Sequence, residues 1–127
     1  MALLLVTAPA RAEHEANHRY VILGYVKDAN GRPLERALVE VVRVKTGLAY
    51  RETSDRDGLY ALIVNLHDED LGDSLEVSTR GRSATVKAEF NPRDSTTERG
   101  TRIDFVGQKI EDRRSWFLAT LKQYLAK

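Results

Sequence analysis

The chain has 127 residues, a formal net charge of +1, 42% apolar and 31% charged residues, the make-up of one globular domain that buries its own core and not of a disordered chain. It has no cysteine, which excludes disulfides, thiolate metal centres and cysteine nucleophiles. Its near-zero charge supplies no whole-chain basic field of the kind that neutralises nucleic-acid phosphates, so no nucleic acid is expected as a partner.

The chain opens on MALLLVTAPARA, an apolar run ending in Ala10-Arg11-Ala12, the small-x-small pattern of a signal-peptidase site. Residues 1–12 are read as a secretory signal, with a retained interfacial N-terminus as the alternative. The run is too short to cross ~30 Å of hydrocarbon as a helix. The expected location is therefore periplasmic or extracellular, with membrane association through some other surface. Cleavage after Ala12 would leave a chain of zero formal charge in which the body is net negative and the stretch 109–127, with five basic and two acidic residues, is the basic element.

Residues 13–19 form a linker that contains His14-Glu15-Ala16-Asn17-His18, a match to the H-E-x-x-H pattern of zinc hydrolases. That chemistry needs both histidines on one stable helix and a third ligand. The linker's ~7 residues are too few for an isolated helix. The only other histidine is His67. His14 and His18 stand as remote metal candidates. After cleavage His14 would be the second residue of a new N-terminus, able to hold copper or nickel with the free amine.

From residue 20 the sequence reads as short extended runs separated by Gly, Asn and Asp turns. The predicted strands are 20–27, 37–45, 49–53, 59–66, 74–79, 84–90 and 102–106, within a domain spanning 20–107. The later strands alternate cleanly: Leu75 and Val77 oppose Glu76 and Ser78, and Ala84, Val86 and Ala88 oppose Thr85, Lys87 and Glu89. The strands near residues 22, 40 and 62 are apolar on both parities, which predicts that their second face is covered too.

Two turns are acidic. Asp55-Arg56-Asp57-Gly58 resembles the opening of a calcium loop, but the residues after it are apolar and a hairpin turn is expected. In HDEDLGD, the residues Asp68, Asp70 and Asp73 crowd one loop with Glu69 and are the better hard-cation candidates, with a solvated acidic loop as the default.

The cover for the second face is the segment 108–127, where Ile110, Phe117, Leu118, Leu121, Tyr124 and Leu125 fall at helical spacing. Asp112 or Ser115 is expected to cap the helix and Lys122 and Lys127 to complement its dipole. Arg113, Arg114, Trp116, Phe117, Leu121 and Tyr124 are the candidate partner-binding residues, because arginine and aromatic side chains along an amphipathic helix mark interface anchors or a membrane surface.

The stretch GYVKDANGRPLERALVEV followed by TSDRDGLYAL resembles the carboxypeptidase regulatory-like domain, through Gly24, Val26, Asp28, Gly31, Pro33, Leu34, Ala37, Val39 and Val41, then Asp57, Gly58 and Tyr60, with GDSLEV at 72–77 similar to that family's next strand. The resemblance implies an all-β, seven-stranded Ig/transthyretin-like β-sandwich, here with a C-terminal amphipathic α-helix. It also implies a non-catalytic accessory module for folding, assembly or attachment, with no cofactor.

No phosphate loop, nucleophile elbow or triad is present, so no catalytic residue is assigned. The expected function is an accessory or assembly subunit of a cell-envelope or extracellular complex, binding protein partners through an apolar sheet face and the C-terminal helix, with peripheral membrane contact through that helix as a further expectation. The alternative is a carbohydrate- or other ligand-binding β-sandwich, against which the aromatics are few and Tyr25, Tyr50 and Tyr60 are spread over strands rather than clustered on one loop. A metal hydrolase centred on His14 and His18 ranks last.

Overall fold

The computed structural model describes residues 19–127. The signal reading of 1–12 and both histidines of the HEANH segment lie outside the described residues. Among the described residues there are eight strands: β1 (Arg19–Lys27), β2 (Leu38–Arg43), β3 (Ala49–Thr53), β4 (Leu59–Asn65), β5 (Ser74–Thr79), β6 (Arg82–Lys87), β7 (Arg99–Val106) and β8 (Lys109–Asp112), followed by a helix, α1 (Phe117–Leu125). They form two four-stranded sheets of order β4-β1-β7-β8 and β3-β2-β5-β6.

One core draws on both sheets. Tyr20, Ile22 and Val26 of β1, Tyr60, Leu62 and Val64 of β4, and Ile103 and Phe105 of β7 pack with Val39 and Val41 of β2, Leu75 and Val77 of β5, and Val86 of β6. The period-2 alternation expected of the later strands holds: Leu75 and Val77 are buried while Glu76 is exposed. The turns follow their residues as well. Gly31 and Gly58 take the left-handed φ values of 83° and 79° that their turns require.

β1 pairs antiparallel with β4 and parallel with β7. The parallel pairing is interrupted between Leu23↔Arg102 and Val26↔Phe105. Gly24 sits in that interruption, where a Cβ would overlap the Ile103 carbonyl, so the close approach of the two strands needs glycine.

Three expectations change. The strand count is eight, not seven, because the segment read as one helix from 108 begins with β8. Gly107 takes a φ of 57° and turns the chain into a tight hairpin that pairs Val106 with Lys109 and Phe105 with Ile110. Ile110 therefore belongs to a strand, and the helix proper starts at Phe117. The Asp112 carboxylate accepts the Arg114 N–H at 3.0 Å ahead of the short turn that leads into α1, but neither Asp112 nor Ser115 caps that turn or the helix with its side chain. Finally, the second face of β2 is not covered, since Leu38 and Val44 are exposed. Only the β1 side receives the helix.

Candidate functional site

The helix is seated on the outer face of the β4-β1-β7-β8 sheet. Phe117 and Leu121, 5% and 8% exposed, pack on Val21 and Leu23 of β1 with Ala61 at the margin. Gly100 makes room for this contact, because a Cβ there would overlap both the Val21 carbonyl and the Phe117 ring.

A buried polar group pins the helix from below. Arg102 of β7 donates through Nε and Nη2 to the two oxygens of Asp104 at 3.0 and 2.8 Å, and through Nη1 to the Thr120 hydroxyl of α1 at 3.0 Å. Asp104 Oδ1 also accepts the Tyr25 N–H at 3.0 Å, where the β1–β7 ladder is interrupted. The Thr120 hydroxyl in turn donates to the Trp116 carbonyl at 2.7 Å. The hydrogen bond to Asp104 raises the Arg102 guanidinium further above its ordinary range, so the guanidinium stays charged throughout the working pH range. On the core side of the same sheet the Tyr60 hydroxyl donates to the Ile103 carbonyl at 2.6 Å. Burial, then the Asp104 charge, pushes that phenol well above its ordinary value, and it is a structural donor.

Beside the helix lies a groove of about 610 Å³. Its floor is the outer side of β4, with Ala61 and Ile63. One wall is Leu121, Tyr124 and Leu125 of α1, and the other is Tyr50, Arg51 and Glu52 of β3. Ile63 is 54% exposed and Leu125 71% exposed, and exposed apolar side chains sharing one groove mark contact surfaces. Arg19 and Glu98, paired at 2.6 Å, close one end.

The sequence-predicted site residues part company. Phe117 and Leu121 are spent on the chain's own sheet. Trp116 is 56% exposed, and Tyr124 lines the groove. Arg113 is ion-paired with Glu111 at 3.0 Å, and Arg114 with Glu89. In the acidic loop, Arg43 reaches Asp70 at 3.4 Å and Asp73 at 3.0 Å, while Asp68 pairs with Arg99 at 3.0 Å. Asp68, Asp70 and Asp73 are thus bound to arginines, and among the described residues no cluster of three or more His, Asp or Glu side chains is arranged to hold a metal ion. Asp55 and Asp57 share the Lys127 ammonium.

Of the three tyrosines considered for sugar binding, Tyr60 is buried and Tyr25 lies under the Arg102 and Lys27 cations at 5.0 and 5.1 Å. Only Tyr50 reaches the groove. Ile63 was expected on a covered second face of its strand but is 54% exposed, and the Arg19–Glu98 pair went unnoticed in the sequence. The signal for Ile63 was present in LYALIVN, apolar on both parities and without a charge.

These features define a mostly-β domain of two sheets with one helix packed outside. No family model matches the chain, and no curated protein sequence matches it. Among solved structures it is similar to the dioxygenase domain of a dioxygenase carbohydrate-binding protein fusion from Streptomyces sp. SirexAA-E, at 16% identity and a TM-score of 0.44 over 71% of this chain and 79% of that one. It is also similar to chlorocatechol 1,2-dioxygenase from Pseudomonas putida, at 13% identity and a TM-score of 0.49 over 74% of this chain, and to hydroxyquinol 1,2-dioxygenase from Pseudomonas putida DLL-E4, at 12% and 0.49 over 76%. The match spans 61% and 57% of those two enzymes' chains. Likeness at this level leaves the function to the residues themselves. Among the described residues no helix is long and apolar enough to cross a membrane.

Proposed function

We propose that the chain is a non-catalytic docking and assembly module, a transthyretin-like β-sandwich of the carboxypeptidase regulatory-like type that serves a periplasmic or extracellular complex. The observation that carries this reading is the groove between α1 and β4, whose apolar lining is exposed at Ile63 and Leu125. Apolar side chains concentrated in one concavity, with an ion pair at its end, are the anatomy of a protein contact surface. The helix has two duties in this reading. Phe117 and Leu121 hold it to the sheet, and Tyr124, Leu125 and the exposed Trp116 and Leu118 face outward to a partner protein or a membrane surface.

A photo-crosslinking residue at Leu125 in the natural host tests this. We expect a discrete protein adduct from Leu125 and none from Thr85, on the opposite sheet. Adducts of equal yield from both positions, or none from either, would refute the docking reading.

A second reading, carbohydrate binding, is favoured by one observation, that Tyr50 and Tyr124 line the same groove and could supply stacking faces for a sugar ring. Affinity electrophoresis through polysaccharide gels separates the two: retardation abolished by Tyr50→Ala would favour the sugar.

A further inference from the structure

An exposed sheet edge offers unpaired N–H and C=O groups to any extended chain, and soluble proteins blunt such edges with charges, prolines or bulges. The two sheets have four edges: β4 and β8 in one, β3 and β6 in the other. Three are guarded. AYRET of β3 carries Arg51 and Glu52, RSATVK of β6 carries Arg82 and Lys87, and KIED of β8 carries Lys109, Glu111 and Asp112. The fourth, LYALIVN of β4, has seven residues with no charge and no proline, although it is the longest of the four and lines the groove.

The register shows which backbone groups are open. The Val26 N–H donates to the Gly58 carbonyl at 2.8 Å, so by antiparallel alternation Tyr60, Leu62 and Val64 bond to β1 and Leu59, Ala61, Ile63 and Asn65 face outward. Asp55 occupies both backbone groups of Leu59. That leaves Ala61, Ile63 and Asn65 with outward backbone groups that no described residue bonds, on the edge beside the groove, with the exposed Ile63 side chain in the middle.

We propose that the occupant of this edge is a second copy of the chain, joined by antiparallel pairing of the two β4 strands about a two-fold axis at Ile63. The inference rests on the reading of the groove as a docking surface and names what docks there. The occupant must be an extended, uncharged, apolar strand, and β4 meets that description itself, so the edge is self-complementary. With Ile63 opposite its own copy, Ala61 falls opposite Asn65, and the outward groups of these residues form about six backbone hydrogen bonds. The two-fold axis runs perpendicular to the joined sheet, so both helices lie on the same side. Leu125 and Tyr124 of each copy then cover the paired Ile63 side chains, the same residues that the single chain leaves exposed.

The test is the solution mass of the full chain by sedimentation or light scattering. We expect a dimer across about 1 to 100 µM and a monomer for Ile63→Lys and for Ile63→Glu, each with self-association weakened at least about 100-fold. Both variants should keep the wild-type circular dichroism spectrum, because Ile63 is a surface position. Mixing the two in equal amounts should restore the dimer, as lysine then faces glutamate across the axis. Amide exchange at Ala61 and Ile63 should be slow in the wild type and fast in either variant. A monomeric wild type, or a dimer that survives Ile63→Lys, overturns the proposal. So does edge protection in a monomer that vanishes on removing residues 1–18, which would assign the edge to the chain's own leading segment. A monomeric wild type that still gives a Leu125 adduct with a different protein removes the dimer and keeps the docking reading, so the two fail separately.

Discussion

Asp104 shows how a single side chain does work that its type does not advertise. It lies in the interior of a strand, 4% exposed, and its carboxylate replaces the ladder bond that β1 and β7 cannot make beside Gly24. Its charge is balanced by Arg102, which in turn reaches Thr120 on the helix. Removing one member of such a pair costs more than the pair contributes, because the other is left charged and poorly solvated. Arg102→Ala is therefore expected to destabilise the protein by about 2–4 kcal/mol, measured by urea unfolding. Asp104→Asn with Arg102→Met should recover part of that loss, since it removes both charges together. The glycine at position 24 was legible as part of a motif, but the carboxylate lay 80 residues away and nothing in local spacing connects the two.

At the level of elements, the outcome turned on Gly107. The helical spacing of Ile110 with Phe117, Leu118 and Leu121 is real in the sequence, yet a left-handed glycine three residues earlier permits a hairpin, and strand pairing with β7 claims 109–112. Ladder hydrogen bonds outweigh periodicity over four residues, whereas the nine residues of α1 have enough length to hold Phe117 and Leu121 on one face. The expectation that an amphipathic tail covers the second face of the strand at 20–27 is met by Phe117, Leu121, Val21 and Leu23. Phe117→Ala should cost about 3–5 kcal/mol, and Leu118→Ala, at an exposed position one residue on, should stay within about 0.5 kcal/mol. A chain ending at Arg113 keeps β8 but uncovers Val21 and Leu23, so it should bind a hydrophobic dye and aggregate. If it remains soluble and dye-free, α1 is not the cover described here.

Across the molecule, three loops depend on a carboxylate that gathers N–H and O–H donors. Hydrogen bonds from the Arg32 and Asn30 N–H groups lower Asp28. Burial pushes the Asp55 carboxyl up, but Lys127 and the N–H groups of Leu59 and Asp57 outweigh it and leave it low. The Thr97 hydroxyl, with the N–H groups of Thr97 and Thr96, holds Asp94 far below the usual carboxylate range. A folded-state pKa below the unfolded value gives stability that is complete above the unfolded pKa of about 4 and lost as pH falls through the folded one. The melting temperature should thus be flat from about pH 7 to 5 and fall below about pH 4, with a shallower fall in Asp94→Asn. Acid loss shared by three loops is a property of the whole domain, as is the contrast between three charged sheet edges and the bare edge of β4.

The sequence by itself determined the strand-rich character, the glycine turns, the buried alternation of Leu75, Val77 and Val86, and the presence of an amphipathic end, because each is written in residues close together along the chain. Only the tertiary structure decided that Phe117 and Leu121 are consumed by the chain's own sheet and that the acidic loop is neutralised by Arg43 and Arg99. It also decided that Arg102, Asp104 and Thr120 meet and that β4 lies at an edge with Ile63 exposed beside Leu125. Those facts depend on strand order and on which faces meet. Strand order is fixed by the packing of segments tens of residues apart, whose mutual fit no local periodicity encodes.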